Sequence, residues 1–182
     1  MDNINDEFIN EYKKHKKGKL KIYIGGAPGV GKTYQMLRDG NEMKANGIDI
    51  IIGLVETYER KGTIEQIDKL ENLPLKEIQY KHVTLKELDL EGIISRKPQV
   101  VIIDELAHTN VPTSKHQKRF EDVLEILSYG IDVMTAVNIQ HLESLNNHVR
   151  RMTGIKVRET IPDKILDIAD EIEVIDISPD AL

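Results

Sequence analysis

The sequence predicts an α/β fold in which helices cover both faces of a mainly parallel sheet, a three-layer sandwich. Strand-like apolar runs alternate with helix-like amphipathic segments along most of the 182 residues, and such alternation is typical of parallel strands joined by helical crossovers. Two of the runs, 48–55 and 100–103, are almost continuously apolar, as expected for strands that are buried on both faces. A glycine-rich turn over 26–31 lies between a strand-like and a helix-like segment. Together these observations favour one parallel sheet covered by helices.

Composition and charge limit the class of protein. Apolar residues make up 40% of the chain and charged residues 31%, which is typical of a folded globular domain rather than a disordered one. The chain has no cysteine, so a disulfide framework and a thiolate zinc site are both excluded. The formal net charge of −6 disfavours nucleic acid as a partner, because a phosphate backbone requires a basic face.

The location that the sequence favours is the cytoplasm. Met1 is followed by acidic and polar residues rather than by an apolar secretory core. The longest apolar runs are far too short to cross a bilayer. We therefore expect no direct membrane insertion by this segment.

The first half of the chain supplies strands and helices in alternation. Ile4, Phe8 and Tyr12 recur at helical spacing. Asn46-Gly47 and Pro74 are signals that end helices. The predicted elements are a helix over 1–17, a strand over 20–25, a helix over 33–45, a strand over 48–55, a polar loop over 56–62, a helix over 63–73, a strand over 78–83 and a helix over 85–96.

The second half continues the alternation. Phe120, Val123 and Leu124 lie on one face of a predicted helix, and Pro162 is placed to occupy the first turn of another. Ser178-Pro179-Asp180 has the composition of a helix start, so we expect the chain to be cut from, or shortened relative to, a longer parent. The predicted elements are a strand over 100–105, a helix over 114–129, a strand over 131–137, a helix over 139–152, an extended piece over 157–161, a helix over 162–169 and a strand over 172–177.

The glycine-rich turn reads Gly26-Ala27-Pro28-Gly29-Val30-Gly31-Lys32-Thr33. A strand, a turn of this spacing and a helix together make a P-loop. Its glycines let backbone N–H groups converge on phosphate oxygens, and the helix N-terminus adds partial positive charge. We expect Lys32 to reach the β- and γ-phosphates from a solvated position in the empty site, and the Thr33 hydroxyl to bind Mg²⁺. The predicted fold is therefore of the P-loop NTPase type.

A second carboxylate is needed to hold or orient Mg²⁺. Asp104 follows the apolar run 100–103 and fits this Walker B role, on a strand that we expect to adjoin the P-loop strand. Glu105, its neighbour, is placed to polarise an attacking water as a general base. The sequence therefore predicts a metal site made of Thr33 and Asp104, with Glu105 as the candidate catalytic residue.

Further polar residues follow strands at the edge where ligands of open α/β sheets bind. Asn138 and Gln140 are placed to sense a γ-phosphate or to orient water, although asparagine also begins helices well. Loops that would border the nucleotide contain Glu56, Thr57, Thr109 and Asn110. The candidate charge-stabilising side chains are Arg60, Lys115, Arg119 and Arg158, although an arginine is more often part of a surface ion pair.

Other chemistry finds less support in the sequence. Glu105 and His108 have a Glu-x-x-His spacing, but a transition-metal centre would require further converging ligands. No Ser/His/Asp or Cys/His set indicates a nucleophilic enzyme. The absence of an Asn-Lys-x-Asp signature favours adenine over guanine.

Four stretches of the sequence are specific in their pattern, namely 26–34, 104–112, 137–145 and 158–163. Together they closely resemble one family, the N-terminal cytoplasmic domain of KdpD-type osmosensitive potassium sensor histidine kinases. The resemblance covers the chain from about residue 18 to its end, and the middle two stretches are far more specific than a P-loop. After Val55-Glu56-Thr57 the family usually has a His-Gly pair, whereas this chain has Tyr58-Glu59.

The resemblance implies a bacterial two-component system that reports potassium limitation or osmotic stress. In that setting a helical extension over 1–17 would precede an ATP-binding sensor domain over 18–182, and the parent protein would be anchored in the inner membrane. The phosphoacceptor and kinase domains of the family are missing from this sequence. The residues expected to contact ATP are Gly26, Ala27, Pro28, Gly29, Val30, Gly31, Lys32, Thr33, Tyr34 and Asn138.

The sequence is compatible with three functions. The first is a regulatory module that binds ATP and Mg²⁺ and alters a surface seen by other domains of a sensor kinase or by a separate kinase or regulator protein. The second is a stand-alone NTPase, or a P-loop kinase of a small molecule, with Glu105 as general base. The third is a receptor for a signalling dinucleotide, a task that the resemblance assigns to a domain missing here.

Overall fold

The computed structural model describes residues 2–58, 60–67, 69–154 and 157–176, apart from the side chains of 2–6, 8, 149 and 153. The helix start predicted at Ser178-Pro179-Asp180 lies outside the described residues. In chain order the elements are α1 (Asp2–His15), β1 (Leu20–Gly25), α2 (Lys32–Ala45), β2 (Ile50–Leu54), α3 (Lys61–Ile67), β3 (Glu71–Asn72), β4 (Lys76–Tyr80), β5 (Val83–Glu87), α4 (Leu90–Arg96), β6 (Val100–Ile103), α5 (Arg119–Ser128), β7 (Asp132–Asn138), α6 (Glu143–Thr153) and β8 (Glu171–Ile175). Short 3₁₀ turns cover Ile139–His141 and Asp163–Ile168.

The centre of the fold is a six-stranded sheet in the order β3-β2-β6-β7-β1-β8. Every pair of neighbours in it is parallel. Such a sheet requires crossover connections on its faces, and the helices between the strands supply them. The predicted α/β class with a mainly parallel sheet is confirmed.

Apolar side chains fill both faces of the sheet. Val101 and Ile103 pack into one cluster with α5, whereas Val100 and Ile102 pack into a second cluster with α2. Successive residues of a strand point to opposite faces, so a continuously apolar strand such as β6 serves two cores. Ile9 of α1 is buried in the first cluster, which docks the N-terminal helix on the domain.

The strand order corrects one expectation about the site. β7 lies between β1 and β6, so Asp104 does not follow a strand that adjoins the P-loop strand. The register pairs Gly25 with Asn138 and Ile103 with Thr135. β7 therefore carries Asn138 to the end of β1, between the P-loop and Asp104.

The predicted strand over 78–83 and helix over 85–96 are wrong in their boundaries. Residues 76–87 form an antiparallel hairpin, β4–β5, which is separate from the main sheet and pairs Ile78 with Leu85. Its turn contains Lys81 in the left-handed region at φ 56°. The helix begins only at Leu90, because the Asp89 side chain accepts a hydrogen bond from Gly92 N at 3.1 Å and caps it.

Two other predicted helices are shorter in the structure. α3 ends at Ile67 instead of reaching residue 73, and Glu71 pairs with Ile51 at the edge of the sheet. α5 begins at Arg119 instead of residue 114. The preceding segment folds back on itself, since Thr109 bridges Lys118 and Asn110 N donates to Gln117 O at 2.9 Å.

The region over 139–169 is less helical than predicted. Leu142 has an extended backbone and interrupts the predicted helix over 139–152, because it bridges Ile161. Of the extended piece predicted over 157–161, the structure has this isolated bridge at Ile161. The predicted helix over 162–169 is the 3₁₀ turn Asp163–Ile168.

Candidate functional site

The glycine-rich loop 26–31, which the sequence predicts to be a P-loop, follows β1 and leads into α2. Gly29 at φ 89° and Gly31 at φ 91° occupy the left-handed region, which glycine enters without steric cost. The close packing of the loop also requires a glycine at position 25, because a Cβ there would lie 2.5 Å from Val30 Cγ2 and 2.9 Å from Lys32 Cδ. The sequence analysis did not identify Gly25 as a site residue. A glycine directly before the loop is the signal that could have identified it.

Lys32 is less accessible than predicted. It is 9% exposed, and its Nζ donates a hydrogen bond to Ala27 O at 3.0 Å. The expectation of a solvated lysine is therefore wrong: its ammonium group turns back into the loop. Burial lowers the pKa of Lys32, Asp104 opposes that shift, and the Arg60 guanidinium adds to it.

Thr33 and Asp104 are in direct contact, although the strands that precede them, β1 and β6, are separated by β7. Thr33 Oγ1 donates to Asp104 Oδ2 at 2.8 Å, and Asp104 Oδ1 accepts from the backbone N–H of Glu105 at 2.8 Å. Burial raises the pKa of Asp104 to about 6, while the Thr33 hydroxyl and the Glu105 N–H oppose the shift. A hydroxyl and a carboxylate side by side are oxygen donors of the kind that Mg²⁺ takes from proteins.

The donor set fits Mg²⁺ better than a transition metal. No group of three or more His, Asp or Glu side chains in the described residues is arranged to hold a metal ion. Mg²⁺ needs only one or two carboxylates when phosphate oxygens and water complete its shell.

Glu105 stands at the site in a strained backbone conformation, with φ 57°. Its Oε1 accepts a hydrogen bond from the Tyr58 hydroxyl, and its Oε2 lies 3.9 Å from Arg119 Nη1. The contact with Glu105 raises the pKa of Tyr58. Both oxygens of the candidate base are thus next to donors.

Arg119 is not available as a charge-stabilising finger. It is 2% exposed and donates from Nη2 to Oε1 of Glu87, itself 3% exposed, at 2.6 Å. Burial opposes ionisation of Glu87, but His108, the Arg119 guanidinium and the Leu88 N–H outweigh it and hold the pKa of Glu87 at about 2. This buried ion pair also contacts the backbone of the site, since Arg119 Nη1 donates to Asp104 O at 3.5 Å.

A cavity of about 1150 Å³ opens over the glycine-rich loop 26–31. Its lining residues come from the loops after β1, β2, β6 and β7, from the ends of the elements that adjoin these loops and from the segment that contains Glu159. This volume is slightly above the usual range for ligand sites, which is about 300–1,000 Å³. Asn138 lines this cavity, and its buried Oδ1 has no hydrogen-bond partner in the described part of the chain. The predicted residues that line it are Pro28, Gly29, Gly31, Lys32, Thr33, Tyr34, Glu56, Thr57, Arg60, Asp104, Glu105, Asn138 and Gln140.

Other predicted residues lie elsewhere. Asn110 is buried against Asp122, to which Nδ2 donates at 2.6 Å, and Thr109 N donates to Glu159 at 2.9 Å. Lys115 pairs with Glu125 at 2.6 Å, and Arg158 is an exposed residue that does not line the cavity. Gly26, Ala27 and Val30 belong to the P-loop but are likewise not among the lining residues.

Tyr58, His108 and Glu159 also line the cavity and were not predicted as nucleotide-site residues. In the sequence, Tyr58 is distinguished only by its departure from the family pattern. Its place after β2, at the same sheet edge as Asp104, is the signal that could have identified it.

Comparisons with known proteins agree with the motifs. The KdpD family, described as "Osmosensitive K+ channel His kinase sensor domain", matches residues 16–182. A putative sensor protein KdpD from Synechocystis sp. is 49% identical over 168 residues, which are 92% of this chain and 45% of that protein. The sensor protein KdpD of Escherichia coli is 45% identical over 177 residues, which are 97% of this chain and 20% of that protein.

Among solved structures, the flagellar accessory protein FlaH from Methanocaldococcus jannaschii aligns with a TM-score of 0.42 and 16% identity, covering 75% of this chain and 68% of that one. The chain spans less than half the length of the Synechocystis relative and about a fifth of that from Escherichia coli. No helix in the described ranges is long and apolar enough to cross a membrane. On the family match and the identities, the chain belongs to the KdpD osmosensitive K+ channel histidine kinase sensor-domain family.

Proposed function

We propose that this domain binds ATP together with Mg²⁺ and reports the bound state to other domains of a sensor kinase or to a separate regulator protein. The observation that carries the proposal is the 2.8 Å contact between Thr33 Oγ1 and Asp104 Oδ2 beside the buried ammonium of Lys32. A hydroxyl, a carboxylate and an ammonium at the start of one helix are the parts that hold a metal-bound triphosphate.

Each residue has a distinct task in this proposal. The left-handed glycines Gly29 and Gly31 present backbone N–H groups to phosphate oxygens. Lys32 exchanges its bond with Ala27 O for the β- and γ-phosphates, which relieves the cost of its burial. Thr33 and Asp104 would hold Mg²⁺, which supplies positive charge that neutralises the phosphates.

Membership of the family supports a wider role. We propose that the parent protein responds to potassium limitation or osmotic stress, is anchored in a bacterial inner membrane, and carries this domain in the cytoplasm. Nucleotide binding changes a partner only if it discriminates between two conformations of the domain. The loops after β2 and β6, which both line the cavity, are the elements that would differ.

A second candidate function is hydrolysis or phosphoryl transfer with Glu105 as general base. The position of Glu105 next to Asp104 at the cavity favours it. Turnover separates the two functions, because hydrolysis at about 1 s⁻¹ or faster is the lower end of ordinary enzyme rates. Slower turnover would favour the regulatory module.

The test is a calorimetric titration with ATP, ADP, GTP and cyclic dinucleotides, with and without Mg²⁺. We expect Mg²⁺-dependent binding of ATP that is about 10- to 100-fold weaker in Lys32→Ala, since a charge-assisted contact is lost. Lys86→Ala is the matched control, because Lys86 is exposed on the β4–β5 hairpin. Unchanged ATP affinity in a folded Lys32→Ala variant would refute the assignment.

A further inference from the structure

Two side chains of the β2–α3 loop (residues 55–60) connect the P-loop to the candidate base. The Tyr58 hydroxyl donates to Oε1 of Glu105. The Arg60 guanidinium carbon lies 5.8 Å from the centroid of the Tyr58 ring, within the range of a cation–π contact. Arg60, Tyr58 and Glu105 therefore form a continuous row along one wall of the cavity.

The Tyr58–Glu105 contact joins two strained residues. Tyr58 has φ 46° and Glu105 φ 57°, in a region that residues with a Cβ seldom adopt. Such conformations persist only where the surrounding structure imposes them, and they are concentrated at switch regions and active sites. Relief of this strain would lower the free energy that a competing interaction must supply to release the contact.

Arg60 is the cation of this loop that lies nearest to the phosphate cradle. A Cβ built on Gly29 would lie 3.2 Å from Arg60 Nη2, so the guanidinium sits directly against the P-loop. None of the carboxylates in the described ranges forms an ion pair with Arg60, in contrast to Arg96 and Arg119. Within the described ranges its charge is therefore not neutralised by a carboxylate.

We propose that Arg60 contacts the terminal phosphate of the nucleotide and that Tyr58 is a positioning residue which holds Glu105 until it does so. The inference rests on the proposed function, because it assumes that the cavity takes a nucleoside triphosphate. A phosphate at the cradle attracts Arg60 away from the Tyr58 ring. Only one residue separates 58 from 60, so Tyr58 shifts with it and its hydroxyl leaves Glu105.

The two states differ in what Glu105 can do. While Tyr58 donates to Oε1 and Arg119 lies near Oε2, the carboxylate is occupied by protein donors. Once Tyr58 leaves, Oε1 is open to a water or to a partner group. ADP, which lacks the terminal phosphate, leaves the Tyr58–Glu105 contact in place, so the loop distinguishes the triphosphate from the diphosphate.

The test is a double-mutant cycle in which ATP and ADP affinities are measured by calorimetry with Mg²⁺. Arg60→Gln should weaken ATP binding about 10- to 100-fold, the range for a charge-assisted contact, with ADP affinity unchanged within about twofold. Tyr58→Phe should strengthen ATP binding about 2- to 10-fold and leave ADP unaffected, because ATP no longer has to break the contact with Glu105. Adding Tyr58→Phe to Arg60→Gln should alter ATP affinity by less than about twofold, since the two act as a unit.

Matched controls are available at the surface. Tyr129 is 59% exposed, close to the 63% of Tyr58. It is the C-cap residue of α5. Arg38 is an exposed arginine of α2 that does not line the cavity. Tyr129→Phe and Arg38→Gln should leave both affinities unchanged.

The outcomes separate this inference from the proposed function. Equal losses of ATP and ADP affinity in Arg60→Gln, no gain of ATP affinity in Tyr58→Phe, or additive effects in the double variant would each overturn the inference while nucleotide binding stands. A wild-type protein that binds neither nucleotide would overturn the proposed function and the inference with it.

Discussion

Replacing Glu87 by glutamine should destabilise the domain by about 3 kcal/mol at pH 7. The pKa of Glu87 falls from an ordinary 4.5 to about 2 in the folded protein, and every tenfold change in an acid dissociation constant corresponds to about 1.4 kcal/mol. Breaking a buried ion pair by removing one partner costs about 3–5 kcal/mol, because the other charge stays buried. The depressed pKa and the cost of an unpaired buried charge therefore agree in magnitude for the Glu87–Arg119 pair.

The pH dependence tests the cause of the loss. Because the folded-state pKa is depressed, the stability from Glu87 is complete above pH 4.5 and is lost as pH falls through about 2. The difference between wild type and Glu87→Gln should shrink to about 2 kcal/mol at pH 3.5, where the unfolded chain has already taken up the proton.

Urea unfolding at pH 7 and pH 3.5, with equal m-values for both proteins, measures these differences. Glu91→Gln is the control, since Glu91 is exposed on α4 and its pair with Lys76 at 3.4 Å is exposed too; its cost should stay below about 0.5 kcal/mol. A cost below about 1 kcal/mol for Glu87→Gln, or one that is independent of pH, would show that the buried pair does not stabilise the domain in this way.

Three predictions concern the site. Gly25→Ala should weaken ATP binding at least about 10-fold in calorimetry, because a Cβ there overlaps Val30 and displaces the glycine-rich loop. Gly26→Ala is the control, since its new methyl group has open space around it. Equal affinities in the two variants would contradict this steric explanation. Asp104→Asn should remove the dependence of ATP affinity on Mg²⁺, since a neutral amide is a poor ligand for a hard cation; an undiminished Mg²⁺ effect in a metal titration would place the ion elsewhere. Glu105→Gln should bind ATP at least as tightly as the wild type and abolish any hydrolysis in a phosphate-release assay. Unaltered turnover would exclude Glu105 as the base.

Local sequence was enough to predict the elements whose signals are local. β1 occupies the predicted residues 20–25, because an alternating apolar run ends there at glycines. The P-loop and α2 follow from residues that are neighbours in the chain. The contact of Thr33 with Asp104 was also predictable in kind, because strand ends of a parallel sheet meet at one edge.

Tertiary structure decided what depends on distant pairing. The sequence places β6 and β7 in the sheet but carries no signal for β7 lying between β6 and β1, since strand order depends on packing across the whole domain. The β4–β5 hairpin was missed because most of its residues are exposed, so its apolar pattern is weak.

The same distinction applies to the site residues. Arg60, Arg119 and Lys115 are equivalent candidates in the sequence, but the fold pairs Arg119 with Glu87 and Lys115 with Glu125, and it leaves Arg60 against the P-loop. The sequence by itself determined the glycine-rich loop between β1 and α2 and the family of this protein, because both are contained in contiguous residues. Only the tertiary structure decided which charges are neutralised in the core and which face the cavity, because burial and ion pairing join residues far apart in the chain.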